Sequence, residues 1–234
     1  MSFNTFKIKH MNEDTNKFNY AHRDTGVPER ESRTAGLNKL RVSDYCARLR
    51  KSAHEREVPT ASDETLNFLL TLALLKKAEN ILEVGCAEGI TSLALLDILK
   101  CAHLSAIERE EKFICAFKSN LEAYVGRYTL LEGEAADICL TLPDEAYDFI
   151  FLDCAKVQYI KLLPELKRIL KKNGVLVADD ILMYGWVNGE VETPQKRKML
   201  VQHIREYIEA VTNDGQLQTS ILDIGNGIAM SVKK

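Results

Sequence analysis

Residues 81–100 read ILEVGCAEGITSLALLDILK. The first six, ILEVGC, are an apolar run of strand length, and GITSLALLDILK has the length and composition of a helix. The chain passes from one to the other through small residues, Gly85, Ala87 and Gly89. A strand that turns directly into a helix through such residues is the repeating unit of a parallel sheet, and it lets a ligand approach the backbone closely. The dinucleotide fingerprint G-x-G-x-x-G would need a third glycine where Ile90 stands, so a nicotinamide-dependent reductase is disfavoured.

Working outward, the same alternation continues. HLSAIE (103–108), YTLLEGE (128–134), YDFIFLD (147–153) and GVLVADD (174–180) read as strands, with helical segments between them. Pro164 marks a bend or a second helix start inside YIKLLPELKRILKK. The helix KRKMLVQHIREYIEAVT follows. LQTSILDI and IAMSV then read as a hairpin around Gly225-Asn226-Gly227. Near-continuous apolar strands alternating with helices indicate a sheet covered on both faces. The expected fold is α/β: a doubly wound, seven-stranded sheet, mostly parallel, with an antiparallel C-terminal hairpin strand. Upstream, residues 37–56 have helical spacing and Pro59 ends them. Ser62, followed by Asp63 and Glu64, reads as the capped start of another helix. Residues 1–36 form a polar arm, and 37–234 one domain.

The chain has 234 residues, 46% of them hydrophobic, and a net charge of -3. That supports a sizeable core and gives no global basic field for nucleic acid. Six cysteines are scattered with no CxxC pair, which fits packing cysteines in a reducing compartment better than disulfides or zinc. MSFNTFKIKHMNEDTNKF lacks the apolar core of a signal peptide, and no apolar run has the length of a membrane span. The expected location is the cytoplasm, with no membrane partner.

Two strands end in acid. FIFLDCAK (149–156) carries Asp153, and GVLVADD carries Asp179 and Asp180. In an open parallel sheet ligands bind beyond the carboxyl ends of the strands, so carboxylates there can meet on one hard cation: Mg²⁺, Mn²⁺ or Ca²⁺ rather than zinc. Glu108 ends another strand, where a carboxylate can accept hydrogen bonds from ribose hydroxyls. Read singly, each acid is equally well a cap or a surface residue.

In combination, ILEVGCAEGITSLAL, AIERE, GEAAD, YDFIFLDCAKVQY, GVLVADDILMYGWV and DIGNGIAMSVKK resemble the metal-dependent class I O-methyltransferases of the catechol and caffeoyl-CoA type, with their small bacterial relatives. The resemblance runs from about residue 40 to the end. It implies a Rossmann-like domain, S-adenosylmethionine as cofactor, and a homodimer. Carried over by position, it places Ala61, Glu83, Gly85, Gly89, Thr91 and Ser92 at the methionine side of the cofactor. Glu108 takes the ribose, Ala135 and Ala136 flank the adenine, and Asp153 also touches the cofactor. Asp153, Asp179 and Asp180 bind the divalent cation, and Lys156 is the catalytic base, with Asp153 beside it. Two positions depart from the family pattern: Asp180 stands where asparagine is usual, and Ala87 where glycine is usual.

The acceptor stays open between a small catechol-like phenol and a wobble 5-hydroxyuridine in tRNA. Arg41, Arg48, Arg50, Lys51 and Arg56, and a second cluster at Lys196, Arg197 and Lys198, could grip phosphates. Interleaved Glu55, Glu57 and Glu190 argue for solvated faces instead. Residues 185–195 (GWVNGEVETPQ) form the expected acceptor-facing lid. Tyr184 and Trp186 either wall the acceptor pocket or serve packing. A cofactor-binding protein without catalysis is the remaining alternative, and the presence of Lys156 with the acids argues against it.

Overall fold

A computed structural model describes residues 37 and 39–234. The polar arm expected over residues 1–36 lies outside the described residues. The first helix, α1 (Asp44–Glu55), starts later than the spacing predicts, because the Ser43 hydroxyl accepts the Cys46 N–H and caps it there. α2 (Asp63–Lys76) begins at the expected Ser62 cap, whose hydroxyl accepts the Thr65 N–H at 3.1 Å. Strands and helices then alternate: β1 (Asn80–Val84), α3 (Ile90–Ile98), β2 (His103–Glu108), α4 (Glu111–Asn120), β3 (Tyr128–Glu132) and α5 (Ala135–Thr141). β4 (Tyr147–Leu152), α6 (Tyr159–Ile169), β5 (Leu170–Ala178), α7 (Lys198–Asn213), β6 (Leu217–Leu222) and β7 (Ile228–Lys233) complete the domain.

The seven strands form one sheet in the order β3-β2-β1-β4-β5-β7-β6. The first five positions pair in parallel, and β7 runs antiparallel to both β5 and β6. β7 therefore ends the chain but not the sheet, since β6 takes the edge. This is the Rossmann-like arrangement that the resemblance implies. The winding direction reverses between β1 and β4, so a crevice opens beyond their carboxyl ends.

Side-chain alternation builds two cores. On β4, Phe149 and Phe151 face the layer of α1, α2, α3 and α4, while Ile150 and Leu152 face that of α5, α6 and α7. Val175 and Val177 of β5 join the first layer, and Leu176 and Ala178 the second. Both faces are apolar, which is why these strands read as unbroken hydrophobic runs.

Two elements differ from expectation. Pro164 neither ends nor starts a helix but lies inside α6. β5 begins at Leu170 rather than Gly174, with a register shift against β4 and Asn173 at φ +60° between its two paired stretches. Among the described residues no helix is long and apolar enough to cross a membrane. All six cysteines are unpaired; Cys46, Cys86 and Cys139 are buried, while Cys101 and Cys115 are exposed.

Candidate active site

The turn after β1 is held by main-chain groups. Gly85 N–H and Cys86 N–H both donate to the Ile107 carbonyl of β2, at 3.0 and 3.2 Å. Gly85 sits at φ +89°, and a Cβ there would lie 2.4 Å from the Asp153 carbonyl oxygen. Only glycine lets the turn approach the end of β4 so closely. Gly89, at φ +78°, faces elsewhere: an added Cβ would strike the Phe117 ring and Leu121. Its need for glycine comes from packing against α4, whatever its relation to a cofactor. Ala87 takes φ +44° in place of the usual glycine, and its N–H donates to Glu108 Oε2 at 2.9 Å.

Glu108 is fastened on both oxygens. Oε1 accepts the N–H groups of Arg109 and Glu110 at 2.8 and 2.9 Å, while Oε2 takes Ala87. Its own carbonyl accepts Gly133 N–H at 2.8 Å, which brings the start of α5 beside it. There Ala135 is buried and Ala136 exposed. Behind the turn, the Ser92 hydroxyl donates to the buried Glu83 carboxyl. Burial pushes that carboxyl up to about 8; the Ser92 hydrogen bond opposes the rise, and the Asp153 and Glu108 charges add to it. Thr91 is buried in the same first turn of α3, and Ala61 is buried just before α2.

The acids meet on the other side of Gly85. Asp153 N–H donates to the Val84 carbonyl at 2.9 Å, and Asp179 N–H to the Leu152 carbonyl at 3.1 Å, so the ends of β1, β4 and β5 are laced together. Asp179 is 3% exposed. Its Oδ1 accepts the Asp180 N–H at 2.8 Å and the Thr65 hydroxyl at 3.3 Å. Asp180 lies at φ +57°, a left-handed conformation that aspartate, like asparagine, tolerates better than most residues. Burial raises the Asp179 carboxyl well above the usual carboxylate range, and the Asp180 and Asp153 charges raise it further.

Lys156 stands among these acids, 5% exposed. Its Nζ is 2.9 Å from Asp153 Oδ1, 3.6 Å from Asp180 Oδ2 and 2.8 Å from the Tyr159 hydroxyl. Burial alone would lower its pKa, but Asp153, Tyr159, Asp180 and Asp179 outweigh burial and hold it well above the ordinary lysine value. As it stands Lys156 is an ammonium ion, and service as a base requires part of that negative field to be neutralised.

Among the described residues no three His, Cys, Asp or Glu side chains are already gathered as a metal-binding group. Asp153, Asp179 and Asp180 nevertheless supply hard oxygen donors of the kind a divalent cation takes. The donor chemistry therefore fits such a cation.

Sequence reasoning missed three contributors. Tyr159 is fully buried, and only a lysine three residues before it in a one-turn segment hinted at contact. Thr65 brings the start of α2 to Asp179, a pairing across 114 residues that no local pattern shows. The hairpin glycines do more than turn. A Cβ on Gly225 would lie 2.6 Å from Thr65 Oγ1, and one on Gly227 2.3 Å from Leu182. Through this close approach Ile181 and Leu182 N–H bond to the Gly227 and Asn226 carbonyls at 3.0 and 2.8 Å, bracing the chain just after the acids.

The expected lid is mostly pinned. Tyr184 and Trp186 are buried in the core, in mutual contact at 5.2 Å between ring centroids. Arg205 of α7 donates to the Val187 and Trp186 carbonyls at 3.0 and 3.3 Å. Both aromatics pack in the core, which a pocket wall would also do, and within this loop the exposed run is 188–192. Of the first basic cluster, Arg41, Arg48 and Lys51 are exposed, and the other two are paired. Arg50 is buried and paired with Asp63, while Arg56 grips Glu88 with both guanidinium nitrogens, at 2.5 and 2.7 Å. Of the second cluster, Arg197 is buried.

A family model described as O-methyltransferase matches residues 38–234. A protein of Mycobacterium avium (strain 104), provisionally named an O-methyltransferase, is 28% identical over 170 residues, covering 71% of this chain and 75% of its own. Among solved structures, a Staphylococcus aureus protein provisionally named a caffeoyl-CoA O-methyltransferase is similar with a TM-score of 0.75 and 30% identity, over 86% of this chain and 95% of that one. The SAH-bound methyltransferase of Podospora anserina has the same fold, with a TM-score of 0.76, 22% identity, and coverage of 85% of this chain and 91% of its own.

Proposed function

This chain belongs to the O-methyltransferase family, and on that premise we propose that it moves the methyl group of S-adenosylmethionine to a hydroxyl oxygen of a small catechol-like phenol. The observation that carries this reading is the buried Lys156 ammonium among Asp153, Asp179 and Asp180, laced to the Gly85 turn at the switch point of the sheet. The turn and Glu108 would seat the cofactor, since they lie beyond the carboxyl ends of β1 and β2, beside the switch point of the sheet. Asp153, Asp179 and Asp180 would hold a divalent cation, Mg²⁺ or Mn²⁺ before Ca²⁺. When bound, such a cation acidifies and orients a hydroxyl oxygen and relieves the negative field on Lys156.

The rest follows from the chain's own residues. Lys156, in its neutral form, takes the phenolic proton on Nζ. Bound at the turn, S-adenosylmethionine would supply the methyl group to the freed oxygen, the O–CH₃ bond forming as the S–CH₃ bond breaks to give a neutral thioether. Asp153 orients Nζ through its hydrogen bond at 2.9 Å. A tRNA acceptor is the second reading: Arg50, Arg56 and Arg197 are buried or paired, and Arg41, Arg48, Lys51, Lys196 and Lys198, which are exposed, would have to supply the phosphate contacts.

The test is mass spectrometry with an isotopically labelled methyl donor, offered a catechol panel and undermodified tRNA. Label should appear on a catechol, vanish in EDTA and return with Mg²⁺ or Mn²⁺. Label on tRNA alone would overturn the acceptor, and full transfer in chelator on demetallated protein would overturn the cation. Cofactor binding without transfer to anything would favour the non-catalytic alternative.

A further inference from the structure

We infer that Tyr159 is a positioning residue for the acid–lysine site, fixing both Lys156 and the spacing of the two acid-bearing strand ends. This rests on the reading of Lys156 given above. Tyr159 is fully buried at the start of α6. Its hydroxyl lies 2.9 Å from the Leu152 carbonyl at the end of β4 and 3.1 Å from the Asp179 carbonyl after β5. The same oxygen accepts from Lys156 Nζ at 2.8 Å. A phenol has one proton to give and can accept from others. Here it gives that proton to the two strand-end carbonyls and receives Lys156. One oxygen thus ties together the residue before Asp153, the backbone of Asp179 and the Lys156 side chain.

The lysine has no better-fixed anchor. Asp153 and Asp180, its other partners, carry side chains that are 26% and 17% exposed. Water can compete for those carboxylates, whereas the Tyr159 hydroxyl is sealed in the core. The ring is held from behind by Tyr207 of α7, edge-on at 5.4 Å between centroids. Tyr207 offers a contrast, because its own hydroxyl is buried with no hydrogen-bond partner among the described residues. Two tyrosines stand ring to ring, and only one hydroxyl is used.

Tyr159→Phe keeps the ring and removes only the hydroxyl; Tyr207→Phe is the control. Two readouts apply. The first is the rate at which a small amine-acylating reagent labels Lys156, followed by peptide mass spectrometry and normalised to exposed lysines. It needs neither cofactor nor acceptor, so it reports on Tyr159 even if the methyl-transfer reading fails. The second is the kcat and KM of transfer to the catechol identified above. In Tyr159→Phe, Lys156 labelling should rise about fivefold or more, and kcat should fall roughly 10- to 100-fold, the loss expected for a hydrogen bond to a charged group. KM for the cofactor should stay the same, since the turn after β1 is untouched. Tyr207→Phe should leave both readouts at the wild-type level. Unchanged labelling in Tyr159→Phe would overturn the inference whether or not the wild type is active. Faster labelling with wild-type kcat would also overturn it, because Lys156 would then need no positioning. A parallel loss in Tyr207→Phe would reduce Tyr159 to packing.

Discussion

The two halves of the crevice are held by different means. On the β1–β2 side the polar groups are satisfied by main chain: Glu108 by three backbone N–H groups, and the Gly85 turn by the Ile107 carbonyl. On the β4–β5 side the Lys156 ammonium pairs with the Asp153 and Asp180 carboxylates beside Asp179, and the buried Tyr159 hydroxyl accepts a further hydrogen bond from it. The first half is thus held by hydrogen bonds already made within the chain. The second gathers acids around one buried lysine, Asp179 buried and Asp153 and Asp180 part-exposed, an arrangement that would suit an arriving cation. The contrast suits a division of labour in which one half seats the methyl donor and the other prepares the oxygen.

The largest effect that would break this contrast lies in the second half. Lys156→Ala should lower kcat by about 10²–10⁴-fold, the usual contribution of a positioned base, while the melting temperature falls, because the carboxylates of Asp153 and Asp180 lose their buried counter-ion. Wild-type turnover in that variant would make Lys156 a structural counter-ion only. Next comes the joint between the halves. Gly85→Ala forces a Cβ into the Asp153 carbonyl at a positive φ. Strain of this kind should cost about 2–3 kcal/mol, or roughly 4–12 °C in melting temperature for a domain of this size. An unchanged melting curve would mean that the turn and the end of β4 are not in rigid contact.

A subtler effect sharpens the picture of the first half. The folded protein keeps a proton on Glu83 up to about pH 8, whereas an ordinary carboxyl loses it near 4.5. Between those values the native state binds more protons than the unfolded chain, so the contribution is full below about pH 4.5 and falls as pH rises to 8. Glu83→Gln cannot titrate. Melting curves across this window should fall less steeply with pH for the variant than for the wild type, and equal slopes would show that Glu83 is already ionised.

The same contrast explains what was legible in the sequence. The first half is local: ILEVGCAEG places strand, turn and helix within a few residues, and Glu108 ends the next strand. The acids of the second half were also visible as strand ends, and β4 and β5 are indeed neighbours. What joins them was not visible. Tyr159 looks like any helix-start aromatic until its hydroxyl is placed between two carbonyls. Thr65 and Gly225 meet only because β7 inserts between β5 and β6, a pairing that hairpin signals do not specify. Arg50 and Arg56 read as surface charge because burial and partners such as Asp63 and Glu88 depend on tertiary packing rather than on spacing.

The division of labour itself is tested most directly by calorimetric titration of S-adenosylmethionine into three proteins: wild type, Lys156→Ala and Glu108→Ala. The account predicts equal affinity for wild type and Lys156→Ala. It predicts affinity weaker by roughly 10- to 100-fold for Glu108→Ala, which loses a buried charged acceptor. Unaltered binding in Glu108→Ala, or an equal loss in Lys156→Ala, would contradict it.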